Sequence, residues 1–205
     1  MQFKTPYIAK LVYPSLVWDI PTGDNCIYLT FDDGPHPEIS TYVLDLLDKY
    51  DAKATFFCVG ENVKTYPETY QMIIDRGHAV GNHSFNHLNG WNTLNKDYYA
   101  NIEKASELID TNLFRPPYGR ISPTQIKYLK KKFRIIMWSA LSYDFDTRLS
   151  KEECLDLSIK NSSSGTIIVF HDSVKAKENM MFALEGYLKY FSRRGFQFKV
   201  LSNKV

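Results

Sequence analysis

Two aspartates, Asp32 and Asp33, stand side by side in the sequence TFDDGP at residues 30–35. The Gly-Pro pair predicts a turn that ends the preceding apolar run and presents both carboxylates at its tip. Two adjacent negative charges raise the free energy of the folded chain unless a cation or a basic group neutralises them. The segment therefore predicts either a pair of carboxylates that faces a positive partner or a solvated turn.

Two histidines provide candidate metal ligands. His83 and His87 stand at positions i and i+4 of the sequence HSFNH, a spacing that predicts two imidazoles on one face of a helical turn. Two imidazoles and one carboxylate leave a coordination position open for water, and such a ligand set is typical of a catalytic zinc site rather than a structural one. The pair therefore predicts a catalytic metal site.

An arginine follows in a segment whose backbone is restrained. Arg115 belongs to the sequence FRPPYG at residues 114–119, where two prolines fix the chain that aims its side chain. We expect Arg115 to pair with one of the two aspartates and to keep that carboxylate ionised. The alternative is an arginine on a surface turn.

A histidine also ends a later apolar run. His171 follows the residues IIVF at 167–170, a position typical of a core histidine and also available to an acid catalyst. Asp144 can hydrogen-bond the His171 ring and raise the pKa of the imidazole, which an acid catalyst requires. Otherwise Asp144 is a loop aspartate.

Short apolar runs alternate with amphipathic stretches along the whole chain, and this pattern predicts how these residues are positioned. The runs predicted as strands are 26–31, 54–59, 78–81, 135–138, 166–170 and 196–201. The stretches 39–50 and 179–191 place their large apolar residues on one helical face. Strands that alternate with helices predict a parallel sheet, either doubly wound or closed into a barrel. Because the carboxyl ends of parallel strands meet at one edge, we expect the aspartates, His83 and His171 to lie close together.

The composition is that of an ordinary globular protein. The chain has 205 residues, of which 44% are hydrophobic and 23% are charged, so one domain with one core is expected. A net charge of +2 gives no reason to expect nucleic acid or an acidic membrane surface as a partner. Three cysteines without paired spacing predict buried free thiols. No signal peptide or membrane-spanning segment is visible, so the protein either works in the cytoplasm or leaves it by a route that the sequence does not show.

Taken together and in this order, the five segments resemble the polysaccharide deacetylase family, also called the NodB-homology domain or carbohydrate esterase family four. The resemblance covers residues 26–205 and leaves residues 1–25 as an N-terminal extension packed on that catalytic domain. It implies an α/β fold, a distorted (β/α) barrel with about seven parallel strands. It also implies a monomeric, metal-dependent hydrolase that removes N-acetyl groups from glycans containing N-acetylglucosamine, such as peptidoglycan or chitin-like oligomers, outside the cytoplasm.

The resemblance further implies a role for each candidate residue. Asp32 is similar to the catalytic base of the family, and Asp33, His83 and His87 are similar to its three metal ligands. The expected ion is zinc, with cobalt, nickel or manganese as alternatives.

The later motifs imply proton transfer and substrate contacts. Arg115 is similar to the arginine that orients the base, and His171 to the acid, whose pKa Asp144 adjusts. The loop around Pro117 and Tyr118 is similar to the one whose backbone N–H, at the tyrosine position, helps to form the oxyanion hole.

The fourth motif departs from the family pattern. Leu141 and Phe145 stand where an acidic residue and a tryptophan are common, which alters the expected acetyl pocket. Phe145 and Trp91 are candidate substrate contacts, because flat rings cover sugar faces. Three alternatives remain open: an O-acetyl esterase acting on xylan-type glycan, a sugar-binding protein without turnover, and a deacetylase or amidase for a small molecule.

Overall fold

In the described part of the chain, seven parallel strands in one continuous order form the sheet that carries the candidate site, and an eighth strand pairs with one of them. The computed structural model describes residue 5 and residues 7–202 of the chain. The strands are β1 Cys26–Asp32, β2 Ala54–Cys58, β3 Ala79–Asn82, β4 Leu113–Phe114, β5 Arg134–Ile135, β6 Ala140–Leu141, β7 Ile167–His171 and β8 Gln197–Phe198. The spatial order is β5-β4-β3-β2-β1-β7-β6, and β8 pairs with the beginning of β1. The predicted distorted barrel with about seven parallel strands is confirmed.

Helices cover the outside of this sheet. They are α1 Tyr7–Val12, α2 Ile39–Lys49, α3 Gly60–Thr65, α4 Pro67–Asp75, α5 Asn95–Ser106, α6 Pro123–Leu129, α7 Lys151–Lys160 and α8 Lys177–Ser192. The amphipathic stretches 39–50 and 179–191 correspond to α2 and α8, as predicted. Both α6 and α7 begin at a serine in a capping box, which satisfies the free N–H groups of the first turn. No helix in the described part of the chain has the length and hydrophobicity needed to cross a bilayer.

Strand β1 lies at the centre of the core. Phe31 packs between Phe56 of β2 and Phe170 of β7, with ring centroids 4.9 Å and 6.1 Å away. A parallel strand covered on both faces buries nearly all of its side chains, which explains why β1, β2 and β7 are rich in apolar residues. Each fully buried leucine or phenylalanine stabilises the fold by roughly 2 kcal/mol. The three cysteines are buried and unpaired, as predicted.

The barrel is open between its two outermost strands. Within residues 7–202 no strand ladder joins β5 to β6, which lie at opposite ends of the sheet order. On this side Val17 forms a bridge with Ile136, and Asp19 forms one with Thr166. Leu16 is buried with the side chains of the β4–β5 region. The segment before β1 therefore contributes backbone pairing and core packing to the domain.

A buried aspartate holds the turn that follows β1. Asp172, the residue after β7, accepts a hydrogen bond from the Gly34 N–H at 3.0 Å and another from the Ser40 hydroxyl. Its own N–H donates to the Asp32 carbonyl at 3.1 Å. The ends of β1 and β7 are therefore tied together at the point where the adjacent aspartates stand.

This contact predicts that residue 34 must be glycine. A Cβ at Gly34 would lie 2.0 Å from Asp172 Oδ2, whereas a Cβ at Gly23 would meet nothing within 4 Å. We expect Gly34→Ala to lower the free energy of unfolding by about 1–3 kcal/mol, because the buried carboxylate must move. The matched control Gly23→Ala should change it by less than about 0.5 kcal/mol. Urea denaturation of both variants measures the difference, and equal stabilities would show that the turn accommodates a side chain.

Candidate active site

The predicted site residues meet at the carboxyl edge of the sheet. Asp32 ends β1 and is the register partner of His171, which ends β7. His83 follows β3, and its N–H donates to the Cys58 carbonyl of β2 at 2.9 Å. The Arg115 N–H donates to the Asn82 carbonyl at 3.0 Å. The ladder bonds continue past the strand ends and bring these side chains together.

Asp33, His83 and His87 form a group that can hold a metal ion. One ligand atom from each residue lies within 4.8 Å of the other two. His87 Nε2 is 3.1 Å from Asp33 Oδ1, and His83 Nε2 is 3.7 Å from the same oxygen. A single ion at bonding distance of about 2.0–2.2 Å can contact three atoms this close together.

The predicted helical turn over residues 83–87 is wrong. The backbone is left-handed at Ser84 (φ 62°) and at His87 (φ 55°), so the segment is an irregular loop. Side chains replace the helical hydrogen bonds: Asn82 Oδ1 accepts from the Ser84 N–H, and Asn101 Oδ1 accepts from the Phe85 N–H, each at 2.8 Å. The two imidazoles meet because this loop folds back, and their centroids are 5.0 Å apart.

The protonation of this group suits a divalent cation. His83 Nδ1 lies 2.8 Å from the Arg115 carbonyl, which can only accept, so Nδ1 carries the proton and Nε2 keeps its lone pair. Burial lowers the pKa of His83 to about 4, and the imidazole is neutral at pH 7. Burial alone would raise the pKa of Asp33, but the hydrogen bond with His87 and the nearby histidine charges bring it below its usual range. The neutral His83 imidazole and the ionised Asp33 carboxylate are therefore available as ligands, beside the His87 ring.

A buried arginine holds Asp32. The Arg115 side chain is 0% exposed, and its Nη1 donates to Asp32 Oδ1 and to Thr30 Oγ1 at 2.7 Å each. Its Nη2 donates to the Met137 carbonyl at 2.9 Å. Burial lowers the pKa of Arg115, and the Asp32 carboxylate opposes that change. The second oxygen, Asp32 Oδ2, lies 3.9 Å from His83 Nε2, beside the candidate ligands.

His171 is bound to Asp144 on the other side of the site. Its Nδ1 is 2.7 Å from Asp144 Oδ1, and its backbone N–H donates to Asp144 Oδ2 at 2.8 Å. Burial disfavours the imidazolium, but the charge and the hydrogen bond of Asp144 raise the pKa of His171 to about 9. The Phe145 ring packs edge-on against the imidazole, at 5.0 Å and 80°. His171 is therefore protonated at pH 7 in the metal-free protein.

These groups surround one cavity of about 560 Å³. Its walls are formed by Asp32, Asp33, His83, His87, Tyr118, Gly119, Arg120, Trp138, Leu141, Phe145, Val169, His171, Ser173 and Lys175. Of the four predicted substrate contacts, Tyr118 and Phe145 belong to this wall. Pro117 is buried behind it, and Trp91 lies beside it, 63% exposed, with Nε1 donating to the Ile121 carbonyl at 3.2 Å.

The loop after β4 has a strained backbone. Residues Pro117–Gly119 form a 3₁₀ turn in which Tyr118 has φ 60°. The Tyr118 ring packs against His87 with centroids 4.5 Å apart. Gly119 has φ 64°, and a Cβ there would lie 2.6 Å from the Trp138 ring. Glycine is therefore required at 119 for the tyrosine to reach the candidate metal group.

Several residues of the site were not predicted from the sequence. Asp172 was missed although it directly follows His171; burial raises its pKa to about 7, against hydrogen bonds from Ser40 and Gly34. A second charged residue at a buried strand end was the available signal. Trp138, Arg120 and Lys175 had no local signal, because only the fold places them at the cavity.

The hydrogen bond between His171 and Asp144 predicts how the His171 pKa changes when Asp144 is replaced. In metal-free Asp144→Asn we expect the His171 pKa to fall from about 9 towards its ordinary value near 6.5, because burial is then opposed only by the smaller effects of Asp33 and Asp32. Since the native pKa is raised, the stabilising effect is complete below about pH 6.5 and disappears as the pH rises through about 9. The difference in stability between the wild type and the variant should therefore be largest at low pH.

NMR titration of the imidazole signals and thermal melts across this pH range measure both effects. Asp146→Asn is the matched control, because Asp146 is bound by Arg148 and not by His171. A His171 pKa that is equal in the Asp144 variant and the wild type would contradict the assigned cause.

The chain matches known proteins along most of its length. A family model described as polysaccharide deacetylase matches residues 19–133. A peptidoglycan-N-acetylglucosamine deacetylase of Bacillus cereus is 31% identical to this chain over 194 residues, which cover 91% of each protein. A chitooligosaccharide deacetylase of Azorhizobium caulinodans is 32% identical over 176 residues, which cover 82% of this chain and 83% of the relative.

A solved structure agrees with these sequence relationships. The crystal structure of the Bc1960 peptidoglycan N-acetylglucosamine deacetylase in complex with 4-naphthalen-1-yl-N-oxidanyl-benzamide has a TM-score of 0.88 and 29% identity, covering 96% of this chain and 95% of that one. The predicted resemblance is confirmed by sequence and by fold, and so is the expectation of an enzyme. The chain belongs to the polysaccharide deacetylase family, the NodB-homology hydrolases of carbohydrate esterase family four.

Proposed function

We propose that the chain removes N-acetyl groups from glycans that contain N-acetylglucosamine, of the peptidoglycan or chitin type, in a metal-dependent reaction that releases acetate. The supporting observation is one cavity that holds a candidate metal group, an aspartate fixed by a buried arginine, and a histidine bound to a second aspartate. Two relatives, a peptidoglycan-N-acetylglucosamine deacetylase and a chitooligosaccharide deacetylase, support this substrate class.

Asp33, His83 and His87 are the residues that would hold the ion. Two imidazoles and one ionised carboxylate fit zinc, with cobalt, nickel or manganese as alternatives. A divalent cation bound there would polarise the acetyl carbonyl and make the attacking water more acidic.

Asp32 acts as the general base. Arg115 occupies Oδ1, which leaves Oδ2 on the side of the metal group to accept a proton from the water that attacks the acetyl carbon. The ion pair with Arg115 fixes the rotamer of Asp32, so the base is in position before substrate binds. A general base of this kind typically accelerates a reaction by about 10²–10⁴-fold.

His171 acts as the general acid. An amide nitrogen must be protonated before it can leave as an amine, and Asp144 keeps His171 charged and oriented for that step. The charge on the acetyl oxygen would be stabilised by the backbone N–H of Tyr118, a contact typically worth about 3 kcal/mol. Tyr118, Phe145 and Trp91 offer flat rings to the sugar, and Pro117 stiffens the loop that carries Tyr118.

The catalytic domain of this proposal is residues 26–205, with residues 1–25 as an extension packed on it. The burial of Leu16 and the pairing of Val17 with Ile136 support that packing. Every group of the site comes from one chain, which supports a monomer as the active unit.

The proposal predicts acetate release that depends on a metal. We expect the zinc-loaded protein to release acetate from N-acetylglucosamine oligomers or peptidoglycan, and a chelator to abolish the release until zinc is restored. Acetylated xylan is the comparison substrate. Acetate from xylan alone would instead favour the O-acetyl esterase, and sugar binding without acetate would favour the binding protein.

A pair of variants separates the metal ligands from the base. Asp32→Asn should keep the metal but reduce turnover by about 10³-fold or more, whereas His83→Ala should lose the metal. Metal analysis and a turnover assay of each variant distinguish the two roles. A thermal melt of each variant is also needed, because Asp32→Asn removes the charged partner of the buried Arg115. The control is Asp24→Asn, an exposed aspartate outside the cavity. Near-normal turnover in Asp32→Asn would rule out its role as base.

A further inference from the structure

Two cations at the cavity form no salt bridge with any residue that the structure describes. Arg120, in the loop after β4, and Lys175, in the loop after β7, both contribute to the wall that contains the candidate metal group. In the described part of the chain, neither side chain forms a salt bridge. Both residues are exposed. Their positive charges are therefore available to a molecule that enters the cavity.

Aromatic rings hold both cations in place. The Arg120 guanidinium carbon lies 5.2 Å from the Trp91 ring centroid, and Lys175 Nζ lies 5.6 Å from that of Phe145. Trp91 is itself fixed by its hydrogen bond to the Ile121 carbonyl. A ring attracts a cation without cancelling its charge. The two side chains are thus oriented and remain positively charged.

Two carboxylates of the site already have positive partners, and a third, Asp33, belongs to the candidate metal group. Asp32 is paired with Arg115 at 2.7 Å, and Asp144 with His171 at 2.7 Å. Asp146 lies close enough to Lys175 to interact with its charge, but both Asp146 oxygens are engaged by Arg148, at 2.8 Å and 2.6 Å. Arg120 and Lys175 therefore give the cavity an unmatched positive charge.

We propose that Arg120 and Lys175 bind carboxylate groups of the glycan, so that the preferred substrate is an acidic N-acetylated glycan rather than a neutral one. A guanidinium donates two parallel hydrogen bonds to a carboxylate, and an ammonium forms an ion pair with it. A neutral N-acetylglucosamine oligomer has no anionic group that could pair with either cation. A glycan in which every second N-acetylated sugar carries a lactyl carboxylate has the required chemistry. This inference rests on the proposed deacetylase function and specifies its substrate class.

The test compares two substrates that differ only in charge. One is a tetrasaccharide of alternating N-acetylglucosamine and N-acetylmuramic acid with free carboxylates, and the other is the same compound with the carboxylates converted to amides. We expect the zinc-loaded wild type to show a kcat/KM about tenfold higher on the acid form, mainly through KM. Added salt should reduce this ratio, because exposed charges are screened.

The variants assign the preference to these two residues. Arg120→Gln and Lys175→Gln should each lower the acid-to-amide ratio by roughly threefold to fivefold, and together they should bring it close to one. The matched controls are Arg194→Gln and Lys151→Gln, which remove cations held over Tyr190 and Phe182 outside the cavity. Both controls should keep the wild-type ratio.

Failure of this inference is distinguishable from failure of the proposed function. Equal kcat/KM on the two forms, or single variants that keep the wild-type ratio, would overturn the role of the cations while acetate release continued. Absence of acetate from both forms would overturn the proposed function instead. In that case the carboxylate preference is tested by calorimetric binding of the same two tetrasaccharides. Equal dissociation constants for the acid and amide forms would overturn the recognition of carboxylates as well.

Discussion

The ion pair between Arg115 and Asp32 is the constraint around which this site is built. A fully buried guanidinium without a partner would destabilise the fold by about 3–5 kcal/mol, so the chain must bring acceptors to it. They come from β1 through Asp32 and Thr30, and from the chain after β5 through the carbonyls of Ile136 and Met137. The Arg115 carbonyl in turn orients His83. One residue thus positions both the aspartate proposed as base and a candidate metal ligand.

Two histidines of the same rim have opposite protonation states because their hydrogen-bond partners differ. Burial lowers the pKa of His83 to about 4, beside a neutral carbonyl, whereas Asp144 raises that of His171 to about 9. At pH 7 the first can donate a lone pair and the second can donate a proton. Amide hydrolysis needs one group of each kind, and environments that separate two pKa values in this way provide them.

The side chains that would face a substrate come from a different part of the structure. The rim is rigid, because strand ends and buried ion pairs hold it, whereas Tyr118, Arg120, Phe145 and Lys175 lie on the loops that follow the strands. Loops can change without disturbing the sheet, which allows one scaffold to accept different substrates. Leu141 and Phe145 make part of this wall apolar.

Sequence periodicity alone determined the long elements β1, β2, β7, α2 and α8, and the ordered motifs identified the family and its candidate site residues. Only the tertiary structure decided the short strands β4 and β6, whose two residues each are defined by their neighbours in the sheet. It also replaced the expected helical turn at 83–87 with a loop bound by Asn82 and Asn101, and it brought Asp172 to Gly34. The reason is physical: periodicity reports contacts a few residues apart, whereas these hydrogen bonds join segments up to 138 residues apart.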